Sequence, residues 1–302
     1  IEAVCPKAWF LNYTNPMAML SGYMQRFTNV KTVGLCHSVQ VCSGTLLRSL
    51  NLSTEGVTDK IAGINHMAWL LEIRDKDGND LYPTIRELAA KKNAEKKHND
   101  MVRFAYIRHL GYYCTESSEH NAEYNPFFIK PNYPELIDRY NIPIDEYLRR
   151  CETQIKDWKA QKEALYADGE IKHDRSREYA SCIIEAMITN VPYKIGGNVL
   201  NNGLITNLPA GACVEGPCLV DAGGVLPTYV GALPTQLAAM NQSNINVQLL
   251  TIEAAVTKNR DRVYQAAMMD PHTAAVLSID DIVAMCDELI AAHNASGFPV
   301  LV

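Results

Sequence analysis

The sequence has no basic excess: its 302 residues carry 28 Lys and Arg against 34 Asp and Glu, a net charge of −6. A nucleic-acid surface needs a basic face, so that class is disfavoured. No apolar run approaches the roughly 20 residues of a membrane span. No basic-then-apolar leader opens the chain. The nine cysteines, at 5, 36, 42, 114, 151, 182, 213, 218 and 286, follow no disulfide framework or short zinc-loop spacing. With no secretory cue, reduced thiols in a cytoplasm are expected. There is no G-x-G-x-x-G phosphate loop trailed by an acidic residue, no internal repeat and no low-complexity tract. The chain opens without Met at Ile1, on what reads as a helix end running into a buried strand, which leads us to expect that something precedes it.

What is present is a length ample for a large core in two lobes, with 47% hydrophobic and 21% charged residues, as in globular proteins. Three short segments stand out. They are Asn12-Tyr-Thr-Asn-Pro-Met17, Gly34-Leu-Cys-His-Ser38 and Gly63-Ile-Asn-His-Met67. Each follows an apolar run that reads as a buried strand, at 8–11, 31–35 and 61–64. Ligands of open α/β sheets sit at the carboxyl ends of strands, so the three tips read as walls of one site. Cys36, His37 and His66 offer a thiol and two imidazoles. Cys36 with one His would leave coordination positions free for substrate oxygens, as a catalytic metal requires. The alternative is a small buried thiol and a satisfied core histidine.

Residues 1–74 read as alternating strand and helix, with helices over 17–27 and 38–50. Pro16 suits the first turn of the former. Residues 64–74 read as strand running to a turn at Asp77-Gly78. Residues 81–110 are helical in period, with a charged middle at 91–100. The run from Gly111 to Pro126 is rich in functional groups and also fits a helix start capped by Thr115 or Ser117. Residues 145–165 read as an amphipathic helix with Ile155, Trp158 and Leu165 as its apolar stripe. A helix over 176–188 would put Arg177 in its first turn, where the dipole disfavours a cation. That position suits either a surface Arg or one with an anionic or hydroxylated partner. Turns at Gly196-Gly and Asn201-Asn-Gly separate short strands, with further strand-like pieces over 214–224 and 228–231. Helices over 236–267 and 280–293 close the fold.

Taken together, Asn12-Tyr-Thr-Asn-Pro-Met-Ala-Met19, Val33-Gly-Leu-Cys-His-Ser-Val-Gln40 and Ala62-Gly-Ile-Asn-His-Met-Ala68 resemble the NAD- and metal-dependent glycosidases of glycoside hydrolase family four. So do Thr115-Glu-Ser-Ser-Glu-His120, Ser176-Arg-Glu-Tyr-Ala-Ser181, Asn244-Ile-Asn-Val-Gln248 and Ala267-Met-Met-Asp-Pro-His-Thr-Ala274. Within the family, the bacterial α-galactosidase branch of melibiase type is the most similar. The resemblance implies an α/β chain: the C-terminal part of a Rossmann-like, lactate/malate dehydrogenase-like domain (1–60) plus an α+β substrate domain (61–302). Family members open with a dinucleotide-binding half bearing the glycine-rich loop. This chain looks like the family without that half.

The resemblance also implies a mechanism outside the paired-carboxylate scheme. NAD takes hydride from C3 of the sugar, a base removes the acidified C2 proton, and the glycosidic oxygen leaves by elimination. Water then adds and the hydride returns. Cys36 and His66 match the family's metal ligands, normally for Mn2+, although a thiolate is soft for that ion. His37 matches the acid that assists the leaving oxygen. The C2 base falls among Glu119, Glu123 and Tyr124. Asn15, Asn65 and Arg177 match substrate contacts, and Asn12 and Asn15 lie toward the cofactor. Relatives are homodimers or homotetramers. The expected activity is α-galactoside hydrolysis with NAD and Mn2+. The alternatives are an α-glucuronidase or other hexosidase of the family, a 2-hydroxy-acid dehydrogenase suggested by Thr14-Asn-Pro16, and a truncated non-catalytic module.

Overall fold

The computed structural model describes residues 1–167 and 178–299. It begins with a parallel pair, β1 (Trp9–Asn12) and β2 (Lys31–Leu35), joined by α1 (Met17–Phe27). Pro16 is the N-cap of α1 and lies in a cis peptide with Asn15. The buried face of α1 holds Met17, Ala18, Ser21 and Gly22, an i, i+4 stripe laid on the sheet. After β2, Cys36 caps α2 (His37–Ser49), whose Val39, Cys42, Leu46 and Leu47 are buried.

A hairpin follows, β3 (Thr58–Ile64) and β4 (Met67–Arg74), paired from Thr58↔Arg74 to Ile64↔Met67 with a register shift between Lys60 and Ile61. Asn65-His66 is therefore a two-residue turn, where the sequence read as one continuing strand. Next come α3 (Tyr82–Glu95) and α4 (Met101–Leu110). Residues 96–100 divide the single helix expected over 81–110. The short β5 (Tyr113–Cys114) pairs with β4. It leads into α5 (Ser118–Glu123), with Ser117 accepting from the His120 N–H as its cap. Then come α6 (Glu135–Arg139), α7 (Glu146–Tyr166) and α8 (Ala180–Thr189). No residue of α7 is buried, and Ile155, Trp158 and Leu165 face solvent. Helix α8 starts later than expected; Ser176 and Arg177 lie outside the described residues.

Strands β6 (Tyr193–Leu200), β7 (Cys213–Asp221) and β8 (Gly224–Pro227) form a meander. The strand expected over 228–231 is absent there among the described residues, where Gly231 makes only an isolated bridge with Ile205. Helices α9 (Thr235–Thr257), α10 (Arg260–Met269), α11 (Pro271–Val276) and α12 (Ile279–Ala295) complete the fold. No helix among the described residues is long and apolar enough to cross a membrane.

One sheet runs through the whole, in the order β1-β2-β6-β7-β3-β4-β5, with β8 beside β7. Among the strands of the described residues, only β1 and β2 are parallel neighbours. The β2–β6, β6–β7 and β7–β3 pairings are all antiparallel, so β3 runs opposite to β2. The tips carrying Cys36 and His66 therefore do not share one carboxyl edge of a parallel sheet. Gly34, Asn198, Glu215 and Gly63 form a single row across four strands, which β2 and β3 leave in opposite directions. The hairpin is anchored from behind by Trp69 and Asn241, both fully buried. Trp69 Nε1 donates to Asn241 Oδ1 at 3.3 Å, and Asn241 Nδ2 donates to the Met67 carbonyl at 2.7 Å.

Candidate metal centre

Cys36 leaves β2 as the residue capping α2, where the helix N-terminus favours an anion. His66 is the second residue of the hairpin turn, with φ +64°. Glu116 follows β5 at φ +65°. It is brought in because Thr115 continues the β5–β4 pairing: its N–H donates to the Ala68 carbonyl at 2.8 Å, and its Oγ1 accepts from the Ala68 N–H at 3.1 Å. A left-handed backbone is uncommon outside glycine and concentrates at functional sites; two of the three donors adopt it. The donor atoms of Cys36, His66 and Glu116 all lie within 4.8 Å of one another. His66 Nε2 and Glu116 Oε2 are 3.3 Å apart.

The electrostatics fit a cation. Burial pushes the Cys36 thiol up to about 11, and the Glu215 charge adds to the shift. An apolar site thus holds the thiol protonated until something positive arrives. Burial lowers the His66 pKa against the opposing pull of Glu116. The neutral imidazole is the metal-binding form. The other nitrogen, Nδ1, lies 2.9 Å from Tyr124 Oη, the kind of second contact that fixes the ring of a metal-binding histidine. His120 stacks on His66 at 5.7 Å, the ring planes nearly parallel. Its Nδ1 meets Glu123 Oε2 at 3.0 Å, and that bond raises the His120 pKa. Thiolate, imidazole and carboxylate converging with room beside them suit a divalent ion with open positions.

Two cavities of about 500 and 540 Å³ flank this cluster and share Asn15, Met17, His66 and His120 as walls. The first is lined also by Tyr124, Asn244, Gln248 and Asp270. The second is lined by Cys36, His37, Glu116 and Arg103. A larger groove of about 990 Å³ runs along α7 on Arg150 and Trp158, and contains none of these donors.

The structure thus brings Cys36, His66, His37, Asn15, Asn65 and Tyr124 to one region. His37 stacks on Tyr13 at 5.1 Å, and its Nε2 lies 2.6 Å from Glu178 Oε1. Glu119 points elsewhere, to Arg150 at 2.6 Å. Asn12 turns inward, donating to Ser21 Oγ at 3.1 Å and accepting from the Thr14 N–H at 3.0 Å, and so shapes the turn that presents Asn15. Arg177 lies outside the described residues. Glu116, Glu178 and Glu215 were not singled out from sequence. For Glu116 a signal existed: it follows a short apolar piece as Cys36 and His66 do.

Residues 1–52 match the family 4 glycosyl hydrolase profile, and residues 61–273 match the family 4 glycosyl hydrolase C-terminal domain. The chain is 59% identical over 294 residues to an alpha-galactosidase of Bacillus subtilis, covering 97% of this chain and 68% of that protein. It is 33% identical to an alpha-galactosidase of Rhizobium meliloti, covering 97% of this chain and 61% of that one. Its fold is similar to a 6-phospho-alpha-glucosidase from gut microorganisms, solved with NAD and Mn2+, with a TM-score of 0.77 at 20% identity, over 100% of this chain and 70% of that one. A Thermotoga maritima 6-phospho-beta glucosidase, solved with manganese, NAD+ and glucose-6-phosphate, gives 0.71 at 19% identity, over 94% and 66%. With its sequence matched along most of its length and its fold shared with solved glucosidases, the chain belongs to family 4 of the glycosyl hydrolases.

Proposed function

We propose that this chain carries the metal centre and sugar pocket of an NAD- and Mn2+-dependent α-galactosidase. The observation that carries the reading is the convergence of Cys36, His66 and Glu116 on one cavity, with His66 also in the wall of the next. The similarity to two alpha-galactosidases supports the sugar, and the NAD and Mn2+ held by relatives of the same fold support the cofactors. Nothing comparable favours a hydroxy-acid dehydrogenase. All nine cysteines are free, which suits the proposed cytoplasmic setting. Assembly as a homodimer or homotetramer is proposed from the family, and static light scattering measures it. The division at residues 60/61 remains part of the proposal; limited proteolysis tests it.

Cys36, His66 and Glu116 would hold the divalent ion, which when bound polarises sugar oxygens in its open positions. NAD supplies the hydride acceptor. The remaining work belongs to side chains. Asn15 and Asn65 line the sugar cavity as hydroxyl partners. His37, braced between Tyr13 and Glu178 at the second cavity, would donate a proton to the leaving oxygen. Of the C2-base candidates, Tyr124 lines the cavity, whereas Glu119 faces Arg150 and Glu123 faces His120. Burial holds the Tyr124 phenol well above its ordinary range. A His66 that ligates through Nε2 carries its proton on Nδ1. It then donates to Tyr124 Oη, which favours the phenolate.

The test is cleavage of p-nitrophenyl α-galactoside with NAD, Mn2+ and a thiol reductant, run in D2O. Deuterium is expected at C2 of the product. Complete retention of the C2 hydrogen would reject elimination. A panel including α-glucuronides separates the branches of the family.

A further inference from the structure

Glu215 is fully buried at the centre of the sheet, and the chemistry above makes no use of it. Among the described residues no ion pair engages it, and its Oε2 has no hydrogen-bond partner. An isolated buried carboxylate is costly, and such groups persist where something depends on them. Its other oxygen, Oε1, is shared. Asn198 Nδ2 donates to it at 2.9 Å, and Asn65 Nδ2 at 3.4 Å. The same Asn198 amide donates to the Gly34 carbonyl at 3.4 Å. Hydrogen bonds therefore run from Asn65, through Glu215 and Asn198, to Gly34. Asn65 is the neighbour of His66 in the turn, and Gly34 lies two residues before Cys36.

The backbone is tailored to the same row. A Cβ at Gly34 would meet Met17 Sδ and Ser21 Oγ, both at 2.6 Å, and one at Gly63 would meet the Met67 carbonyl at 2.5 Å. Backbone pairing alone secures the two tips weakly. β3 meets β7 at the single pair Gly63↔Glu215, and β2 meets β6 at two pairs. The side-chain bonds supply what the ladder lacks at the point where separation of the two tips would open the metal centre.

We infer that Glu215 is a positioning residue that, through Asn65 and Asn198, fixes the distance between the Cys36 tip and the His66 turn and so sets the affinity of the site for a divalent ion. This rests on the reading of Cys36, His66 and Glu116 as ligands. An acceptor is what the bonds require; a negative charge is not.

The test compares Glu215→Gln, which keeps an amide oxygen in place, with Glu215→Leu, which removes it. Mn2+ affinity is read by the EPR signal of free Mn2+, and geometry by the thiolate-to-cobalt absorption of the Co2+-loaded protein. Glu215→Leu should weaken Mn2+ binding about 10–100-fold and diminish the thiolate band, as loss of an outer partner does, whereas Glu215→Gln should stay within about threefold of wild type. A folded Glu215→Leu with unchanged affinity and band overturns the inference, as does a Gln variant that loses as much as the Leu variant. Should Glu215→Leu not fold, Asn65→Ala replaces it: tenfold weaker binding, on the scale of an outer partner, supports the role, and unchanged affinity overturns it. Cys36→Ser is the control. If it binds Mn2+ as tightly as wild type, the ligand assignment itself fails, whatever the Glu215 variants show.

Discussion

At the scale of single residues, the site depends on groups whose burial changes their chemistry. The Cys36 thiol is pushed up to about 11, so on the proposed assignment a metal would have to displace its proton, and loss of the sulfur would remove a direct ligand. Cys36→Ser should weaken Mn2+ binding beyond the roughly 10–100-fold that an outer partner costs, with isothermal titration as the measurement. Glu215 gives a pH prediction. Burial raises its carboxyl from 4.5 to about 7. Because the folded-state value is the higher one, its contribution to stability is intact below about pH 4.5 and is lost as pH rises toward 7. The loss is on the order of 3 kcal/mol at about 1.4 kcal/mol per unit. In the metal-free protein, Glu215→Gln should gain on wild type across that window and then run parallel, as read by urea unfolding in chelator. Parallel curves throughout would show that Glu215 is ionised in both states. Cys36 and His66 were legible as candidates because each sits one or two positions past an apolar strand. Glu116 was not picked out as a third donor, since a two-residue strand such as β5 leaves almost no period to read.

At the scale of elements, the β3–β4 hairpin is the part that decides the site. Its turn carries no glycine, and His66 takes the left-handed backbone itself. The register is held instead by close approach at Gly63, where an added Cβ would meet the Met67 carbonyl at 2.5 Å and Ala68 Cα at 2.8 Å. Gly63→Ala should therefore destabilise the protein by about 1–3 kcal/mol, the usual range for overpacking, and weaken Mn2+ binding with it. An unfolding free energy equal to wild type would mean that the hairpin yields easily. The turn was not legible because Asn-His is not one of the strong hairpin dipeptides, and the apolar character continues on both sides of it. Helix α7 shows the opposite case. Its period was plain in the sequence, but the direction of its stripe was not, since amphipathicity says that a helix has two faces and not what covers them.

At the scale of the molecule, the three donors come from separate places along the chain, tied at one point of the sheet. An ion held there cross-links the β2 tip, the hairpin and the segment after β5. Ligands that bind only the folded state stabilise it by mass action: Mn2+ at about 100 times its dissociation constant should add about 2.7 kcal/mol. Chelation should remove the gain, and Cys36→Ser should not show it. Thermal unfolding with and without EDTA reads both. Equal midpoints in the wild-type protein would mean that no ion occupies a site absent from the unfolded chain.

The sequence by itself determined most of the helices and strands, the family and two of the candidate donors. Periodicity and strand tips are local properties, and the motif series runs in order along the chain. Tertiary structure alone decided that β3 runs against β2, that Glu116 joins Cys36 and His66, and that Glu215 lies beneath them. Those facts depend on pairing between strands as much as 164 residues apart, as Gly34 and Asn198 are. Local side-chain patterns carry no record of which partner a strand will choose.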